Sequence, residues 1–226
     1  MLRALLLDFD GLLYDTETPA YAAWVELFHR FGQELDLAEY VRELIGRPPG
    51  SSRTLDPAQR LREVAGLEVA ATELRAWRQR LRDELLPHEL MPGAAALLRG
   101  AAERGLRAAI VSSNSRANVD EHLARAGVTF EFDAIVCADG NAARGKPAPT
   151  LYLEALAELG LRAGEAVAFE DSPNGIAAAK AAGLRCIAIP NDITRGAPGL
   201  ERADVSLRSL TEVDLGQLAA PDGLPA

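Results

Sequence analysis

Asp8 and Asp10 stand two residues apart at the end of an apolar run, Leu5-Leu6-Leu7. Residues at that spacing on an extended strand point to the same side, so the two carboxylates share one small space. Like charges so close raise each other's pKa and need an offset, and a divalent cation is the usual one. Gly11 follows at once, where the backbone must turn or lie close to a ligand. A buried strand that ends in paired acids and a glycine points to metal-assisted chemistry.

Three further polar clusters lie at the ends of elements. Ser112-Ser113-Asn114-Ser115 follows the apolar Ala108–Val111, Gly145-Lys146-Pro147-Ala148-Pro149 precedes a helix, and Glu170-Asp171-Ser172 follows Ala166–Phe169. Each has a plain structural reading. Ser112 and Ser113 could cap a helix, and Lys146 could be a surface lysine. Acids near a helix N-terminus are stabilised by about 0.3–1 kcal/mol. Together, however, they set acids, hydroxyls and a lysine at successive strand ends.

The elements that must position these groups change character along the chain. Residues 1–15 give one strand and its acidic end, and residues 16–88 contain no clear strand. Four helices are expected there. The first has Thr18 as N-cap and Pro19 at its first position and closes at Gly32. The second opens with an Asp36/Glu39 capping box and ends near Gly46. The third runs from Asp56-Pro57 to Gly66, and an Arg-rich fourth from about Ala70 to Leu86. From Met91 onward helices and strands alternate. The helices are Gly93–Arg104, Arg116–Ala126, Thr150–Leu159 and one from Ser172-Pro173 to Gly183; the strands are Leu106–Val111, Ala134–Cys137, Ala166–Phe169 and Leu184–Ile189. Such alternation predicts an α/β fold with a doubly wound parallel sheet, and strands apolar throughout suit a sheet covered on both faces. The expected architecture is a Rossmann-like core from residues 1–15 and 89–226 with an all-α four-helix cap, residues 16–88, inserted after the first strand. Ligands bind at the carboxyl ends of strands in such sheets, so the insert is placed to cover Asp8 and Asp10 as a lid. The tail from Leu215 carries no useful pattern.

Composition narrows the partners. A formal net charge of -9 and a pI near 4.9 argue against nucleic acid. No stretch reaches the roughly 18 apolar residues of a membrane span, and the leading apolar run is too short for a signal-peptide core. Cys137 and Cys186 sit in strand-like runs and read as buried free thiols. The expectation is a soluble cytoplasmic protein, monomeric with a dimer as the alternative, that binds neither nucleic acid nor membrane.

The segments LLLDFDGLLYDTE, VSSNS, GKPAPTLYLEAL and FEDSPNGIAAAKAAGL, in that order and spacing, resemble the four motifs of the haloacid dehalogenase superfamily over about residues 3–190. The small helical insert is similar to that of the subgroup containing β-phosphoglucomutase and many sugar-phosphate phosphatases. The resemblance implies Asp8 as a nucleophile that becomes an aspartyl phosphate, and Asp10 as the acid and base that moves the proton. It implies Ser112 and Lys146 on the phosphoryl oxygens, with Gly11, Ser113 and Asn114 also on the substrate. Mg²⁺ is implied at a carboxylate oxygen of Asp8, the main-chain carbonyl of Asp10, and Asp171, with Glu170 a direct or water-linked ligand.

The lid departs from the mutase pattern. The histidine and the phosphate-clamping arginine of β-phosphoglucomutase fall on Ala20 and Pro49. Arg47 and Arg53 lie nearby and offer substitutes, and Glu17 is a candidate cleft residue. Tyr21 and Trp24 read as helix core, and His29, His88 and His122 as structural or surface residues. Without the histidine and the clamp, water becomes the expected acceptor. The function expected is therefore an Mg²⁺-dependent phosphatase for a small sugar or polyol phosphate, with phosphoglucomutase-like transfer as the alternative. A phospho-acceptor signalling domain of the receiver type is about half this length and lacks the insert. A dehalogenase does without the second acid, and an inactive binding protein fits poorly when every key position is filled.

Overall fold

A computed structural model describes residues 1–44 and 56–219. Arg47, Pro49 and Arg53 lie outside the described residues. Six parallel strands form one sheet in the order β3-β2-β1-β4-β5-β6. They are β1 (Ala4–Leu7), β2 (Arg107–Ser112), β3 (Ala134–Cys137), β4 (Ala166–Glu170), β5 (Arg185–Ala188) and β6 (Val205–Ser206). β1 pairs with β2 on one side and with β4 on the other. All of its residues are fully buried.

The period of a strand splits that burial between two cores. Ala4 and Leu6 belong to one cluster, with Leu151, Tyr152 and Ile176. Leu5 and Leu7 belong to the other, with Leu97, Leu98, Val119 and Leu218. The helices that cover these faces are α5 (Ala94–Glu103), α6 (Arg116–Arg125), α7 (Thr150–Glu158), α8 (Pro173–Ala181) and α9 (Leu215–Ala219). This is the α/β doubly wound arrangement, with β1 at the centre where connections leave toward both edges.

Between β1 and β2, before α5, come α1 (Glu17–Arg30), α2 (Leu37–Leu44), α3 (Pro57–Ala65) and α4 (Ala71–Leu85). They have a core of their own, in which Trp24, Leu27 and Phe28 of α1 meet Tyr40, Leu61 and Leu74. Asp56 caps α3 by accepting from the Ala58 N–H at 3.1 Å, and Gly66 ends it with a left-handed φ of 62°. The two connectors of this insert run side by side. The Tyr14 hydroxyl donates to the Pro87 carbonyl, and the Met91 N–H donates to the Leu13 carbonyl at 2.8 Å. No helix among the described residues is long and apolar enough to cross a membrane. Both cysteines are buried free thiols.

Several boundaries differ from the sequence reading. α1 starts at Glu17, so Thr18 and Pro19 lie in its first turn. The Thr16 hydroxyl at the N-cap is drawn away to Asp10 at 2.9 Å, and Asp15 accepts from the Thr18 N–H instead, at 3.0 Å. β2 and β4 each extend one residue further than their apolar runs, so Ser112 and Glu170 are the last residues of strands. Ser115, not Ser112 or Ser113, caps α6. The short β6 and α9 were invisible: two residues of strand and a five-residue helix carry too little periodicity.

Candidate active site

The carboxyl ends of β1, β2 and β4, with the loop before α7, meet at one point. Asp8 follows β1 directly, and its backbone N–H continues the ladder to the Phe169 carbonyl at 3.0 Å. Lys146 Nζ reaches Asp8 Oδ1 at 2.5 Å and Glu170 Oε1 at 2.6 Å. All three groups are buried. Tyr152, in the first turn of α7, donates its hydroxyl to the same Glu170 oxygen at 2.5 Å. Its ring also lies 5.4 Å from the ammonium. Glu170 Oε2 is buried with no hydrogen-bond partner.

Asp10 faces a different set. Its carboxylate accepts from Ser112 Oγ at 2.9 Å, Thr16 Oγ1 at 2.9 Å and Asn114 Nδ2 at 3.1 Å. The Ser112 hydroxyl therefore lies against Asp10, fully buried, and not open to the cleft. Ser113 and Asn114 line the cleft. The Ser113 hydroxyl accepts from the Lys146 backbone N–H at 3.1 Å, which ties the β2 loop to the lysine loop. Gly11 turns the chain with a φ of 84°. A side chain there would come within 2.5 Å of Asp171 Oδ2 and 2.6 Å of Asn191 Nδ2.

Asp8, Glu170 and Asp171 bring one carboxylate oxygen each within 4.8 Å of one another. Burial pushes the Asp8 and Asp171 pKa values up, and neighbouring acids push them further. Glu170 is raised to about 8, first by burial and then by the Asp8 charge. For Lys146, burial works against the charge, but Asp8 and Glu170 outweigh it and raise the pKa. Among the described residues, three buried acids face the Lys146 ammonium, and Glu170 Oε2 has no hydrogen-bond partner. Hard oxygen donors in that number suit a divalent cation such as Mg²⁺, so the residues fit the group. The Asp10 carboxylate is outside this cluster, held by its three donors.

A cavity of about 460 Å³ opens above these groups. Its far wall belongs to the insert: Glu17, Ala20 and Trp24 from α1, and Arg78, Gln79 and Arg82 from α4. Arg78 is half-buried, with its guanidinium carbon 5.7 Å from the Trp24 ring and a hydrogen bond to Tyr40. Its Nε is buried and unpartnered. Glu17 has its pKa raised to about 8 by burial, then by Asp10, with Arg78 pulling the other way. His122 also lines the cavity. It stacks on Tyr14 at a centroid distance of 4.9 Å, and burial lowers its pKa.

Sequence reasoning missed Arg78, Tyr152, Thr16 and Asn191 as site residues. Arg78 shares a helix face with Arg75 and Arg82, a spacing that does not tell a cleft-facing arginine from a solvated one. Nothing in the sequence separates Tyr152 from a core aromatic.

The model of the haloacid dehalogenase-like hydrolases matches residues 2–183. The chain belongs to that family. Among relatives of this hydrolase, Protein CbbY of Cereibacter sphaeroides is 38% identical, covering 98% of this chain and 97% of that one. Validoxylamine A 7'-phosphate phosphatase of Streptomyces hygroscopicus subsp. limoneus is 31% identical, covering 94% and 96%. A crystal structure of a CbbY mutant from Rhodobacter sphaeroides in complex with xylulose-(1,5)bisphosphate matches with a TM-score of 0.67 at 30% identity, covering 94% and 96%. With this family and its phosphatase-named relatives, the hydrolase is of the phosphatase type.

Proposed function

We propose that the chain is an Mg²⁺-dependent phosphatase that hydrolyses a small sugar or polyol phosphate through an aspartyl phosphate on Asp8. The observation that carries this reading is the buried meeting of Asp8, Glu170, Asp171 and Lys146 at the floor of a cavity walled by the helical insert. The names of relatives agree with it, since they include validoxylamine A 7'-phosphate phosphatase and hexitol phosphatase B.

In this reading Lys146 holds Asp8 and screens the approach of an anionic phosphate to it. Asp8 attacks phosphorus, the P–O bond to the alcohol breaks, and Asp10 gives the alcohol its proton. Water then attacks the phosphoaspartate, Asp10 takes the proton, and inorganic phosphate leaves. Ser112, Thr16 and Asn114 orient Asp10 for both transfers. Mg²⁺, held by Asp8 and Asp171, with Glu170 and the Asp10 carbonyl as the remaining candidates, would offset the negative charge that nucleophile and phosphate bring together. The insert acts as the cap, and Glu17 and Arg78 meet the alcohol portion. Ala20 supplies no group to move a proton from a second sugar hydroxyl, which favours water over a sugar as acceptor.

The test is phosphate release from a panel of sugar and polyol phosphates with Mg²⁺, repeated with chelator and with Asp8→Asn. Activity that survives either treatment contradicts the reading.

A further inference from the structure

The loop after β5 touches both halves of the site. Asn191 is buried and uses every hydrogen-bonding position it has. Its Nδ2 donates to Asp171 Oδ2 at 2.8 Å and to the Gly11 carbonyl at 3.1 Å. Its Oδ1 accepts from the backbone N–H groups of Ile193 at 2.9 Å and Thr194 at 3.0 Å. A rigid amide therefore fixes one oxygen of Asp171 against the turn where the chain leaves β1. Two residues on, Ile193 packs its side chain with the helical insert. It is buried in the same cluster as Trp24, Leu27 and Phe28 of the helical insert. The Asn191 side chain thus hydrogen-bonds at one end to Asp171 and at the other to the backbone of the residue embedded in the insert.

We propose that Asn191 is a positioning residue for Asp171, and that Ile193 makes its setting depend on how the insert is seated. This rests on the reading of Asp171 as a cation ligand. Groups that hydrogen-bond to a ligating carboxylate fix its orientation, and their loss typically weakens cation binding about 10–100-fold. A seated insert keeps Ile193 in place, Ile193 keeps the 191–194 turn in place, and the turn keeps Asp171 aimed. A loosened insert lowers cation affinity without any change among the ligands.

The test is calorimetric titration of MgCl₂ into the metal-free full-length protein, for the wild type, Asn191→Ala, Ile193→Val, Ile193→Ala and the double variant Asn191→Ala/Ile193→Ala. Asn191→Ala weakens Mg²⁺ binding by about tenfold or more. Ile193→Ala weakens it by several-fold, and Ile193→Val, which folds with the least disturbance, shifts it in the same direction. Because Ile193 acts through Asn191, the double variant binds Mg²⁺ no more weakly than Asn191→Ala alone. Wild-type affinity in both Ile193 variants, or losses that simply multiply in the double variant, overturns the coupling. A wild type that does not bind Mg²⁺ overturns the cation reading and this proposal with it.

Discussion

Replacing Lys146 with methionine keeps an unbranched side chain, one atom shorter, and removes the ammonium that bridges Asp8 and Glu170. Both acids stay buried and lose the ammonium that offsets their charge when they ionise. Breaking a buried ion pair from one side costs about 3–5 kcal/mol, and here one lysine serves two partners. At about 2–4 °C per kcal/mol for a chain of this size, that is a fall in Tm of roughly 6–20 °C. The pH dependence follows from the acids. Glu170 already has a pKa raised to about 8 with the lysine present, and without it the value rises further. A raised carboxyl pKa means that the fold is favoured while the group is protonated and loses that advantage as pH climbs through the folded pKa. The deficit of Lys146→Met is therefore largest above pH 8 and shrinks on acidification. Urea unfolding followed by far-UV circular dichroism, in chelator at several pH values, measures it. A variant within about 1 kcal/mol of wild type at pH 8.5 refutes the argument that this lysine offsets buried charge.

The other predictions concern the walls of the cavity. Arg78→Ala lowers kcat/KM for a sugar phosphate about 10–100-fold, the loss of one or two charge-assisted hydrogen bonds. Aryl phosphate, which has no polyol to hold, keeps its wild-type rate, and an equal fall on both substrates counts against a specificity role. Glu17, with its pKa raised to about 8, is a neutral donor at pH 7 and an anion at pH 9, so kcat/KM for the sugar phosphate declines above pH 8. Glu17→Gln flattens that limb, and a decline unchanged in the variant removes Glu17 as its source. The raised pKa also means that stability from this group is full near pH 4.5 and below and is lost as pH passes 8. Gly175→Ala would drive a methyl group into the Glu170 carboxylate. It should destabilise the fold by about 1–3 kcal/mol in thermal unfolding, and a neutral effect would show that Glu170 can move aside.

The parts legible in the sequence are those in which burial and chemistry conflict. Asp8 stood out because a run as apolar as Leu5-Leu6-Leu7 forces the next residue inward, and it is indeed buried. Glu170-Asp171 and Lys146 gained meaning the same way, as charges on elements whose neighbours are fully covered. Ser112 was expected on the phosphoryl oxygens, and in the structure its hydroxyl donates to Asp10. A one-residue extension of β2 turns its hydroxyl to Asp10, and single-residue register lies below what apolar patterning resolves. Arg78 was hidden because an Arg-rich helix presents the same pattern whether its charges face water or a cleft. Asn191 sits in Pro190-Asn191-Asp192, the composition of an ordinary turn. Only the return of that loop to Gly11 and Asp171 gives it a task. Arg47, the sequence-based choice for a cap contact, lies outside the described residues; Arg78 is an arginine that lines the wall.

The central claim is that Asp8 takes the phosphoryl group. It is tested by acid-quenching the enzyme during turnover of a phosphorylated sugar with Mg²⁺, digesting it, and locating any phosphoryl mass. The account predicts a transient phosphoryl group on the peptide that contains Asp8, removed by hydroxylamine and absent in Asp8→Asn. Full turnover with no phosphorylated peptide at any quench time, or a phosphoryl group on another residue, would contradict it.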